Sequence, residues 1–113
     1  MQLVTRAATA FQLEDSQPLY KRVPARDAAG RALGDFMVLI PGLRERPRHE
    51  FAEVVARLQA VLVGFREVVF VDLNVPLNLL WVSVEPRPGV ILELFGAMQS
   101  QLPEARLVGH RRE

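Results

Sequence analysis

Seven apolar residues, Phe51, Val54, Val55, Leu58, Val61, Leu62 and Phe65, recur every three or four positions. That repeat is one face of an α-helix, so the spacing predicts a helix over 51–65. Pro47 suits its first turn, Glu53 and Arg57 make an i,i+4 pair on its flank, and Gly64 marks its stop. A second stripe, Ile91, Leu94, Phe95, Met98 and Leu102, predicts a helix that starts near Gly89 and is stopped by Pro103. Gly96 inside it costs about 1 kcal/mol against alanine, which suggests a close backbone approach at that point.

The other patterned stretches are too short for helices. Phe36–Ile40 is an unbroken apolar run between turn residues, as in a central strand buried on both faces. Glu67–Leu73 is rich in branched residues and reads as a strand. Asn74–Asn78 is a turn that Pro76 enforces, and Leu79–Glu85 is the returning strand. Ala105–His110 is a short last strand. Before Gly34 the pattern is weak: a short strand near Gln2 to Arg6, then alternation over 19–26 that Pro24 confines to a sheet edge. With the turn residues Asp27, Gly30 and Gly34, residues 19–40 read as an irregular hairpin.

From residue 35 the order is β-α-β-β-α-β. This predicts an α+β fold: a ferredoxin-like βαββαβ antiparallel sheet with two helices on one face, plus an N-terminal arm or hairpin. Right-handed crossovers place the first and third strands of that series at the centre. The arm spans 1–34 and the ferredoxin-like part 35–113, within a single domain. The arm is also a source for an extra edge strand.

Strand parity then divides the side chains. Leu80, Val82 and Val84 share one face, with Val69, Val71 and Leu73 as the matching aliphatic set of the preceding strand. These belong under the helices. Trp81, Ser83, Phe70 and Asp72 fall on the other face, joined by Phe36, Val38 and Ile40 or by Met37 and Leu39. A sheet face open to water is largely polar, so an apolar one calls for a cover. Three covers fit: the arm, the same face of a second subunit, or a ligand.

Composition narrows the function classes. A chain of 113 residues can bury one ordinary core without staples. A net charge of +1 draws it strongly neither to nucleic acid nor to membrane. The absence of cysteine excludes disulfides, thiolate metal sites and cysteine nucleophiles. Glu14 and Asp15 interrupt any signal-peptide core, and no window reaches the ~18 apolar residues of a membrane helix. Cytoplasmic residence, no cofactor and no metal are the expectations.

Few residues carry candidate chemistry. His49 and His110 stand too far apart in sequence for a metal-ligand spacing and read as solvent-facing. Asp72 is the lone carboxylate in an apolar strand; desolvated beside Trp81 it would suit a general base, or it bonds Ser83 across the hairpin. Ser83 lacks a histidine or lysine partner in its strand, so no catalytic residue is expected. Arg44, Arg46 and Arg48 alternate ahead of the first helix, whose positive end would help them hold an anion, although Glu45 and Glu50 offset them. A phosphate-binding glycine loop and the basic pattern of an RNA-recognition domain are both missing.

The stretch VSVEPRPGVILELFGAMQ, residues 82–99, resembles the strand–loop–helix start of amino-acid-binding ACT regulatory domains, in which Pro-Gly begins a helix beside the effector site. It falls on the second half of the chain, whereas in that family it opens the domain, and it reads as convergence on a helix start.

The sequence therefore suggests a small non-catalytic dimerising or ligand-binding accessory or assembly module that acts through an open, apolar sheet face at Phe70, Asp72, Trp81 and Ser83. A homodimer is expected, with a larger protein as a further partner. One alternative is an enzyme of the dimeric α+β-barrel kind that binds a small aromatic or haem-like ligand. A weaker one is anion or RNA binding through the Arg44–Arg48 loop.

Overall fold

The computed structural model describes residues 2–6, 30 and 32–111, with backbone alone for 2–6 and 109–111. The weakly alternating stretch 19–26, the first arm of the expected hairpin, lies outside the described residues.

Five strands and two α-helices are present among the described residues: β1 (Gln2–Arg6), β2 (Gly34–Leu39), α1 (Arg48–Leu62), β3 (Val68–Asn74), β4 (Leu79–Val84), α2 (Val90–Gln101) and β5 (Arg106–Arg111). A 3-10 turn, Leu43–Glu45, joins β2 to α1. Strands β2 to β5 form a four-stranded antiparallel sheet, and the whole sheet runs β1-β3-β4-β2-β5. Strand β1 adds to the outside of β3 in parallel, Val4 pairing with Asp72. This is a small α+β domain, and the extra strand near Gln2 to Arg6 is present.

Both amphipathic stripes form helices, and both pack on the same side of the sheet. Val54, Leu58 and Leu62 of α1, with Val90, Ile91, Leu94 and Met98 of α2, bury against Phe36, Val38, Val71, Leu73, Leu80, Val82 and Val84. Removing such side chains from water supplies roughly 1.5–3 kcal/mol each. Helix α1 starts three residues before the first member of its stripe because Pro47 acts as its N-cap, its carbonyl accepting the Phe51 N–H at 2.9 Å. Phe65 lies beyond the helix end yet still packs on the core. Helix α2 begins at Gly89, whose φ of +79° is a left-handed conformation that glycine adopts without strain.

Three sequence expectations require correction. The run Phe36–Ile40 is not buried on both faces: Phe36, Val38 and Ile40 are core, whereas Met37 and Leu39 are half-buried on the other side. Val69 does not join the aliphatic set under the helices. A bulge between Val68 and Phe70 lets Val68 pair with Val84 and enter the core, leaving Val69 as the inserted residue. Gly96 marks no close approach, since a Cβ there would meet nothing within 4 Å.

The helix-free sheet face as candidate functional site

Register fixes the neighbours on the face away from the helices. Asp35 pairs with Ser83, and Ser83 with Phe70. One step along, Met37 pairs with Trp81, and Trp81 with Asp72. At the next step Leu39 pairs with Leu79, and Leu79 with Asn74. Partners across a ladder point to the same side, so these residues form a compact array centred on β4. The indole of Trp81 stands on the helix-free side, and Phe70, Asp72 and Ser83 share that side with it.

Burial divides this array. Asp72 and Ser83 are 0% exposed and Phe70 is 5% exposed within a single chain. Asp35 is also buried. Trp81, Met37, Leu39 and Leu79 are only half-buried, and none belongs to the core cluster. Because Met37 faces Trp81 and Leu39 faces Leu79 on adjacent strands, these four make one contiguous apolar block. Of the four residues expected from sequence, Trp81 alone lies in this accessible part. Met37, Leu39 and Leu79 join it; the uniformly apolar Phe36–Ile40 run gives no sign of which parity faces outward.

Two donors at this face have no acceptor. The indole nitrogen Nε1 of Trp81 and the hydroxyl of Ser83 are buried atoms without a hydrogen-bond partner among the described residues. The Asp72–Ser83 hydrogen bond that the sequence allowed is therefore not made. A buried donor left unpaired costs about 1–3 kcal/mol, so this is the least satisfied region described.

The arginine loop is arranged differently. The Arg44 backbone N–H donates to Asn78 Oδ1 at 2.8 Å, its Nη1 to the Pro76 carbonyl at 3.3 Å, and its Nε lies 3.0 Å from Glu45. Arg46 donates through Nη2 to Glu104. That carboxyl is held below its ordinary range, first by its own backbone N–H and then by Arg46. Arg48, the exposed first residue of α1, makes no ion pair among the described residues. The three cations are thus not gathered around one anion: two are spent on the neighbouring turn and on Glu104. His49 is exposed and lies 3.8 Å from Glu50, and His110 stands on β5 with its side chain outside those described. No metal-binding group of three or more ligands occurs among the described residues. None of their helices is long and apolar enough to cross a membrane.

At the opposite end, Arg87 ties the residue just before β3 to α2. It donates to Glu67 through Nε at 2.9 Å and to both oxygens of Glu93 at 3.0 and 3.1 Å. The Glu93 carboxyl is lowered chiefly by this hydrogen bonding, Glu67 by its own backbone N–H and then by Arg87, and the guanidinium is raised.

No protein-family model matches the chain, and neither a curated protein nor a solved structure matches it significantly.

Proposed function

We propose that this protein is a small non-catalytic module that binds a second copy of itself through the helix-free sheet face. The observation that carries the reading is the contiguous block of Met37, Leu39, Leu79 and Trp81, half-buried and outside the core. An apolar block on a sheet face usually marks a contact. Two identical faces meet about a two-fold axis with each side chain serving both subunits, so no second kind of surface is needed. The scaffold reads as a variant of the ferredoxin-like arrangement: β2 and β4 lie inside β3 and β5, and β1 is the addition. In this reading the pair is an accessory or assembly unit for a larger protein.

Light scattering coupled to size exclusion tests the pairing. The expected mass is twice the 12.7 kDa of one chain at tens of micromolar, and Trp81→Glu or Met37→Glu returns it to that of one chain with the circular dichroism unchanged. A wild-type chain that stays monomeric at millimolar concentration overturns the proposal.

A second reading, an enzyme of the dimeric α+β-barrel kind, draws on the fully buried Asp72 beside Trp81. It requires a cavity between the paired sheets. Saturable quenching of Trp81 fluorescence by haem or a small aromatic acid, lost in Asp72→Asn, is the expected outcome; no quenching removes it.

A further inference from the structure

We draw no further inference here: the strongest candidate, the open recess of about 390 Å³ lined by Arg66, Glu67, Glu85, Pro86, Arg87 and Pro88 beside the start of α2, singles out no ligand chemistry because its two arginines and two glutamates cancel and Arg87 is already held by Glu67 and Glu93.

Discussion

Asn78 holds three connections at once. Its N–H donates to the Val75 carbonyl at 3.0 Å, its carbonyl accepts from Ile40 at 2.8 Å, and its side chain accepts from the Arg44 N–H at 2.8 Å. It does so at a φ of 57°, where asparagine is tolerated and a branched residue is not. Asn78→Val therefore combines left-handed strain of about 1–2 kcal/mol with a lost hydrogen bond of about 1 kcal/mol. Asn78→Gly loses only the second. Urea unfolding should rank them wild type, glycine, valine, and equal losses for the two variants would show that backbone strain is not the determinant. Gly96 gives the opposite sign. It sits in the interior of an exposed helical turn with open space around it, so Gly96→Ala should raise stability by about 0.5–1 kcal/mol. A fall in the melting temperature would disprove that. Neither effect could be read from the sequence: a glycine in a helix looks the same whether its missing Cβ meets a neighbour or water.

Helix α2 carries its two kinds of leucine two residues apart, on opposite sides of the helix. Leu94 is 0% exposed in the core and Leu92 is 67% exposed. Leu94→Ala should lower stability by about 2–5 kcal/mol. Leu92→Ala should stay within about 0.5 kcal/mol of wild type. Similar losses from both would mean that α2 packs on another face. Both helices were legible in the sequence because their stripes keep the helical period over several turns. The strands were legible as strands, yet their details were not. In EVVF either valine can take the inward position, so the bulge that selects Val68 leaves no mark. In FMVLI all five residues are apolar, and only the register of β2 against β4 decides that Met37 and Leu39 face outward. Trp81 was placed correctly relative to the helices because its neighbours Leu80 and Val82 are aliphatic and clearly belong beneath them.

Across the whole molecule, the sequence called for a cover over the helix-free face. It did not single out Phe70, Asp72 and Ser83 as the part already buried within one chain, because parity tells which side a residue faces and not what lies above it. Backbone hydrogen bonds to Glu67 and Glu104, and the Arg87 hydrogen bonds to Glu93, set a pH response. Glu67, Glu93 and Glu104 all have carboxyls lowered from the ordinary 4.5, so the unfolded chain binds more protons than the folded one near that pH. Their contribution is fully present above about pH 4.5 and is lost as pH falls through the lower folded values. Unfolding midpoints measured from pH 7 to pH 2 should drop below that point, and Arg87→Gln should flatten the drop while sparing the Glu104 part. An unchanged profile would mean that the Arg87 pairs form no better in the folded chain than in the unfolded one. Strand β1 has a different consequence. Its partner β3 lies across most of the chain in sequence, and among the described strands it pairs with β3 alone. Closing so long a loop is slow, and a strand paired on one side frays early. Amide hydrogens of β1 should exchange well before those of β4. Each such opening bares the backbone edge of VVFVDLN, a ready template for foreign strands, so heat-induced aggregation should start there and quicken when the first six residues are deleted.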